Sequence, residues 1–542
     1  MQKVASWLFL LLWGWASAFA AQEVTLTVLF TSDVHAHLLP QDDVRQRPAR
    51  GSLAQVATLV AATRRQNKLT LVLDGGDAIQ GTPLAHYVLS GQMGQGQDPT
   101  VLAMNLVGYD AAVLGNHEFN YGLNVLQRAV AQSRFPWLAA NLANLPEAGL
   151  AVAPYLVLKR GPLRIGVIGL TNPHVPFWDP PEHWLPLRFQ DPVVVGEKLV
   201  RALRPQVDVL ILVAHTGFER DPVTGEDNST GEENFAWRLA QIPGVDLLLT
   251  GHTHRNIPPT KLGNTWVAQP GRWAELVSRL RVRLRKESRW RVVGVQGDNV
   301  PVVGLVPHRR LEEALAPLHS QVLTELAHPL GELLAPLPFG GPPVADNPGV
   351  DLIHELQLWA SGAQLSLAAP LAGSFQEVPA GELTPRLAHA LYPYPNTLVV
   401  LRVTGGQLRA ILEHAQRGWR GIRCQPENPC ELLRDPTFPP YNFDSVEGVS
   451  YLVDPNAPLG QRVWGLSFQG RPVRDTDSFT LVVNSYRAAG GGGYPFLRDL
   501  PREKAIPRQV VDLMVAYFGH MVRLSPRASE NWLFAPRLRL AQ

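Results

Sequence analysis

Cysteine is nearly absent from this chain: 542 residues hold two, Cys424 and Cys430. They lie close together in a loop with Pro and Asn and lack the further ligands of a zinc site. Their expected role is structural, as a small disulfide in an oxidising compartment or as two free thiols. An excess of charge of one sign is lacking too. The 49 basic residues nearly balance 47 acidic ones, for a net charge of +2, and no basic block stands out. Binding to a nucleic-acid duplex therefore has no electrostatic footprint. Repeats of solenoid period are missing, and the 47 prolines and 46 glycines are scattered at turns rather than gathered in a low-complexity tract. The glycines of Leu163–Leu170 do not open a dinucleotide-binding turn. The Gly490–Gly493 run lacks the Lys-Ser/Thr ending of a Walker loop.

Long hydrophobic runs are confined to the first twenty residues. Lys3 supplies a positive charge, Trp7 to Trp15 a short apolar core, and Ala18-Phe19-Ala20 the small residues of a cleavage site. Residues 1–20 read as a secretory signal peptide cleaved after Ala20. The alternative, an uncleaved anchor, needs a longer apolar run. The mature chain is expected to be soluble, without a stable membrane span, and extracytoplasmic: periplasmic or secreted. Its length predicts two domains.

What is present is a series of apolar runs ending on metal-type ligands. Ala111 to Leu114 reads as a buried strand, and Gly115 turns the backbone to present Asn116 and His117 at its carboxyl end. In open α/β sheets that end is where ligands bind. Val24 to Thr31 ends at Ser32-Asp33-Val34-His35, an Asp and a His two apart that point the same way on extended backbone. Leu69 to Leu73 runs into Asp74-Gly75-Gly76-Asp77, where Asp77 can bridge two cations and Asp74 serves the loop backbone. Val207 to Ala214 ends at His215, and Val245 to Thr250 at Gly251-His252-Thr253-His254. Ser52 to Arg65 and Val125 to Gln132 have helical spacing. The alternation of strand and helix predicts βαβ units and a sheet covered on both faces.

Asp33, His35, Asp77, Asn116, His215, His252 and His254 exceed what one four-coordinate ion needs. Two divalent cations sharing Asp77 are the natural count. The mixed oxygen and nitrogen set suits zinc, manganese, cobalt or iron without choosing among them.

Asp33-x-His35, Gly76-Asp77, Gly115-Asn116-His117-Glu118, His215 and Gly251-His252-x-His254 together resemble the ordered motif set of the calcineurin-like metallophosphoesterases, over roughly residues 24 to 275. Within that superfamily the chain resembles the secreted two-domain 5'-nucleotidase family. The resemblance implies an α/β fold. Residues 21–306 would form a four-layered α/β sandwich with a di-metal site at the sheet edge. A linker helix within 307–335 would lead to an α/β substrate-binding domain at 336–520, and 521–542 would be a tail. It also implies the seven ligands just named, His117 as the catalytic residue and a small-molecule nucleotide as substrate.

In the second half, Leu311 to Leu326 reads as the linker helix. Val350 to Ala360, Pro385 to Leu391 and Gln407 to Ala415 read as helices, Asn396 to Val403 and Phe479 to Val483 as strands, and Gly381 to Thr384 as a turn. The stretch Asn484 to Tyr494 resembles the family's substrate loop, where Tyr486 would stack on the base. Tyr441 matches the partner aromatic. Gly115 to Gly122, Pro270-Gly-Arg-Trp273, Leu391 to Thr397 and Tyr441-Asn-Phe-Asp444 resemble the periplasmic 2',3'-cyclic-nucleotide 2'-phosphodiesterase/3'-nucleotidase branch. Two departures stand out against the 5'-nucleotidase branch. Asn120 replaces an Asp that would orient His117, and Gly373 to Glu377 holds no arginine for substrate capture. The expected activity is hydrolysis of cyclic and 3'-nucleotides. The alternatives are a 5'-nucleotidase or nucleotide-sugar hydrolase, an enzyme acting on a sulfur substrate, and a non-catalytic nucleotide-binding protein.

Overall fold

The computed structural model describes residues 22–94, 96–228, 232–339, 345–371, 377–425 and 428–535. The expected leader, the stretch 372–376 and the side chains of Cys424 and Cys430 lie outside the described residues.

Two six-stranded sheets face each other in the first half of the chain. One runs in the order Trp290–Pro301, Leu276–Lys286, Glu23–Thr31, Thr70–Asp74, Ala111–Val113, Trp137–Leu138. The other runs Asn256–Leu262, Thr265–Pro270, Leu247–Thr250, Val209–Ala214, Leu163–Leu170, Tyr155–Arg160. Their central strands pair in parallel. A parallel strand is buried on both faces, which is why these segments read as continuous apolar runs. Val209–Ala214 shows the division. Val209, Ile211 and Val213 pack between the sheets, and Leu210, Leu212 and Ala214 meet the helices outside. Successive side chains of a strand alternate in just this way.

Helices Leu53–Gln66, Pro99–Val107 and Leu123–Gln132 cover the first sheet, and Pro192–Leu203 and Ala236–Ala240 the second. The result is the expected four-layered sandwich. Two of these helices, Pro99–Val107 and Pro192–Leu203, announce themselves by capping rather than by periodicity. Asp98 and Asp191 each accept hydrogen bonds from the first-turn N–H groups, and Pro occupies the first helical position.

The helix Arg309–Leu326 follows, two residues longer at its start than its spacing predicts. It buries Leu311, Leu315, Val322 and Leu326 against the first half's core. Beyond it lies a five-stranded sheet in the order Ser445–Glu447, Leu365–Ala368, Ser478–Asn484, Leu398–Thr404, Arg502–Ile506. Helices Pro348–Ser361, Pro385–Leu391 and Val510–Met521 contribute to the core on one face, and Gly405–Ala415 to the core on the other. The segment Gly381 to Thr384, expected to be a turn, differs. Gly381–Leu383 is a strand antiparallel to Gly331–Leu333. Three residues carry no readable period, and the partner that makes them a strand is remote in sequence. Thr384 then caps the next helix by accepting from the Leu387 N–H. The end of the chain is woven in. Arg523–Leu524 pairs with Gly331–Leu333, and Trp532–Phe534 with Ser450–Val453.

Candidate metal centre

The carboxyl ends of the parallel strands open toward one another and carry the polar residues. Asp33 and His35 follow Glu23–Thr31, Asp77 follows Thr70–Asp74, and Asn116 and His117 follow Ala111–Val113. From the second sheet, His215 follows Val209–Ala214, and His252 and His254 follow Leu247–Thr250. The turns that aim them are costly. Asp33 (φ 54°), His35 (47°), Asp77 (56°), His252 (71°) and His254 (56°) all occupy left-handed backbone, a region that non-glycine residues visit at a price of about 1–3 kcal/mol each when strained. Gly115 is required by space, because a Cβ there would stand 2.2 Å from Asp77 Oδ1.

Three sets of donor atoms converge: Asp33 with His35 and His254, His35 with Asp77 and His117, and Asp77 with His215 and His252. Asn116 joins the last, its Oδ1 3.0 Å from His252 Nδ1. The sequence-predicted ligand residues and His117 are thus one cluster.

Hydrogen-bond bookkeeping tests whether this cluster suits cations. Burial works to lower the His215 imidazole, but the charge of Asp77 outweighs it and pushes it up to about 10; the ring's Nδ1 donates to the Gly75 carbonyl at 2.8 Å, which points Nε2 into the cluster. That Nε2 is buried, has no hydrogen-bond partner, and stands 2.9 Å from Asp77 Oδ2. His252 Nε2 donates to Glu233 Oε1 at 2.7 Å, so its Nδ1 lone pair faces the Asn116 carbonyl oxygen. His35 Nδ1 donates to the Gln80 carbonyl, and its Nε2 turns toward His254 Nε2 at 3.1 Å. Imidazole nitrogens and side-chain oxygens that face one another at contact distance, each ring oriented by a partner on its far nitrogen, are what a divalent cation requires of its ligands. The donor set is oxygen and imidazole nitrogen, which fits a divalent metal.

The electrostatics agree. Burial works to raise the Asp77 carboxyl, but the charges of His215 and His117 outweigh it and hold Asp77 well below the usual range. Burial likewise opposes ionisation of Asp33, and His254 and His215 bring it below its ordinary value. For His35, burial and then the neighbouring His117 push the imidazole down to about 3, so it is neutral and able to ligate.

Sequence reasoning missed Glu233 and Trp178, and it quoted Glu118 only as part of the Gly115–Glu118 motif, without a role. Glu118 is fully buried and accepts from the backbone N–H groups of Asp77, Ala78, Ile79 and Gly115. It joins two ligand loops. Glu233 orients His252. Trp178 stacks on His252 with ring centroids 5.3 Å apart. His117 Nδ1 lies 2.5 Å from Asn120 Oδ1, so the residue that departs from the resemblance still contacts the imidazole.

Tyr441 and Tyr486, 42% and 37% exposed, project from two loops that Arg487 clamps. Its guanidinium donates to both Asp444 oxygens, the Tyr441 carbonyl and Asn442 Oδ1. Burial raises the Tyr486 phenol, and among its neighbours Tyr441 and Glu233 add to the effect. The two tyrosines are thus held on loops tied together by one guanidinium. A cavity of about 840 Å³ runs from His35, His117 and His254 past Arg272 and Trp273 to Tyr394, between the two halves. Tyr441 and Tyr486 do not line this cavity.

Comparison with known proteins follows the same division. Residues 26–256 match the calcineurin-like phosphoesterase family, and residues 343–499 the 5'-nucleotidase C-terminal domain. A 2',3'-cyclic-nucleotide 2'-phosphodiesterase/3'-nucleotidase of Yersinia enterocolitica is 28% identical over 95% of this chain and 89% of its own length. The trifunctional nucleotide phosphoesterase YfkN of Bacillus subtilis is also 28% identical over 95% of this chain, which spans only 39% of that protein. A candidate 5'-nucleotidase from Staphylococcus aureus superposes with a TM-score of 0.83 at 26% identity, covering 94% of this chain and all of that one.

Proposed function

We propose, for a chain that belongs to the calcineurin-like phosphoesterases carrying a 5'-nucleotidase C-terminal domain, that it hydrolyses nucleotide phosphoesters with two divalent cations and prefers 2',3'-cyclic nucleotides and 3'-nucleotides. The observation that carries this reading is the convergence of His215 Nε2 on Asp77 Oδ2 and of His252 Nδ1 on Asn116 Oδ1. A similar protein of Yersinia bears the name of that activity.

On this reading Asp33, His35, Asp77 and His254 hold one cation, and Asp77, Asn116, His215 and His252 the other. Manganese, zinc, cobalt and iron all suit such ligands. When bound, such cations make a water nucleophilic near neutral pH and offset the charge of the phosphate. The chain supplies the rest. His117, as an imidazolium whose Nδ1–H is held by Asn120, meets the phosphoryl group with Nε2–H, neutralises charge on an equatorial oxygen and delivers the Nε2 proton to the departing ribose oxygen, which leaves the Nδ1–H tautomer. Tyr441 and Tyr486 hold the base between their rings, each contact worth about 1–3 kcal/mol. Anchoring the base in one half and the phosphate in the other orients the scissile bond. A 2',3'-cyclic phosphate opens to the 3'-monophosphate, and the same site then releases phosphate from it.

The functional units on this reading are residues 21–306, 307–335 and 336–520. The leader at 1–20 exports the protein to the periplasm or beyond. Among the described residues no helix is long and apolar enough to cross a membrane.

The test is phosphate release with manganese present from 2',3'-cyclic AMP, 3'-AMP and 5'-AMP, the cyclic substrate with and without an added phosphatase. Turnover of the first two above 5'-AMP is expected. The likeness to the Staphylococcus protein favours a 5'-nucleotidase as the second reading, and preference for 5'-AMP would establish it instead.

A further inference from the structure

The structure supplies a carboxylate where Asn120 took one away. Asn120 Nδ2 donates to both oxygens of Asp179, at 3.0 and 3.1 Å, and the Asp179 side chain is 7% exposed. Asp179 lies just past the turn Val175–Trp178, far in sequence from the ligand loops. His183 Nδ1 stands 3.2 Å from Asp179 Oδ1, and Trp184 Nε1 donates to the Asp179 carbonyl. The loop is therefore tied from its other side as well.

From this chain of contacts we infer that Asp179 is a positioning residue for His117, acting through Asn120 to fix which ring nitrogen carries the proton. An ionised carboxylate only accepts hydrogen bonds. The Asn120 amide must then turn its NH2 to Asp179, which leaves its carbonyl oxygen facing His117 Nδ1 at 2.5 Å. A carbonyl oxygen only accepts, so Nδ1 bears the hydrogen. Nε2, 3.9 Å from Asp77 Oδ2, is thereby the nitrogen presented to the site. With the amide reversed, its oxygen would face two carboxylate oxygens and its NH2 would face the ring N–H. A side chain without charge thus does the orienting work of an aspartate by borrowing the charge of another. The inference rests on the role proposed for His117, but not on which nucleotide is the substrate.

Replacing Asp179 by Asn lets the 179 amide donate or accept, so the orientation of Asn120 is no longer fixed. Two readouts test this. The first is the 15N spectrum of histidine-labelled, metal-free protein, with the His117 signals assigned by difference against His117→Gln. Wild-type protein is expected to show the Nδ1–H form alone, and D179N a mixture with Nε2–H. The second is turnover of bis(p-nitrophenyl) phosphate, which has no nucleoside, by the manganese-loaded enzyme. D179N is expected to lose about 10–100-fold in kcat with KM within about twofold. N120D alone sets two carboxylates in contact and should lose activity comparably. The exchange N120D/D179N sets one carboxylate between two donors, the His117 Nδ1–H and the 179 amide, and should recover most of kcat and the Nδ1–H form. Retention of the Nδ1–H form alone in D179N would overturn the inference, as would a loss that falls on KM rather than kcat, or an exchange no better than the single variants. Failure on nucleotides with turnover of the aryl diester would reject the substrate proposal and leave this one standing.

Discussion

His86 Nε2, in the first half of the chain, stands 2.8 Å from Asp512 Oδ1 at the start of the last long helix. Gln92 Nε2 donates to the same oxygen at 2.9 Å. These contacts join the two halves beside the interdomain cavity. Burial works to raise the Asp512 carboxyl, but the hydrogen bond and charge of His86 outweigh it and hold Asp512 below its ordinary value.

A group depressed on folding contributes stability above its unfolded pKa, roughly 4 for Asp, and loses that contribution as pH falls through the folded value. Asp512→Asn should therefore destabilise the protein by about 1–3 kcal/mol at pH 7, and the gap from wild type should close below about pH 4. Thermal unfolding of both proteins between pH 3 and pH 8 measures this. A constant gap over that range would show that Asp512 acts by shape rather than by charge.

Removing metal should cost stability as well as activity. The ligand-type atoms of His215 and Asp77 and of His252 and Asn116 converge only in the folded chain, so a bound cation stabilises the folded state over the unfolded one. Saturating manganese or zinc at about a hundred times the dissociation constant should stabilise the folded state by roughly 2.7 kcal/mol. The check is the thermal midpoint of chelator-treated protein titrated with each metal. An unmoved midpoint would argue against cation binding by this cluster.

The tyrosines should govern binding and not chemistry. Tyr441→Ala and Tyr486→Ala should each raise KM for a nucleotide about 5–150-fold, the equivalent of about 1–3 kcal/mol of stacking. Neither should alter turnover of an aryl phosphodiester that has no base to stack. Equal losses on both substrates would move the tyrosines from recognition to the support of the fold.

The proposed ligands were legible because each follows an apolar run, and an apolar run ending on Asp or His is visible in one dimension. Asp33, Asp77 and His215 stood out not singly but as part of one set of five strand ends that all close this way. Glu233 and Asp179 did not stand out, since each reaches the site from a loop with no periodic neighbour and acts only through long-range hydrogen bonds to one side chain. The same holds for Gly381–Leu383, whose partner strand decides its conformation. Arg487 was present in the glycine-rich loop that resemblance singled out. Its role as a clamp depends on Asp444, which only the fold brings to it.

Glu118 offers the sharpest test of how the site is held. Its carboxylate accepts from Ala78 N at 2.6 Å, Gly115 N at 2.6 Å and Asp77 N at 2.8 Å. These are the backbones that place Asp77 and Asn116. Burial, and then the charge of Asp77, raise the Glu118 carboxyl above its usual value, but only the ionised form satisfies donors on both oxygens. Glu118→Gln keeps the shape and turns an NH2 group into one of these backbone donors, leaving buried N–H groups unpaired. Each such group costs about 1–3 kcal/mol. The variant should therefore fold with a lower thermal midpoint and bind manganese at least tenfold more weakly, although residue 118 is not among the proposed ligands. Thermal unfolding measures the first effect, and calorimetric titration of manganese into wild type and variant the second. Wild-type affinity in the variant would mean that the ligand loops hold their own shape, and that the glutamate is a passenger in the core.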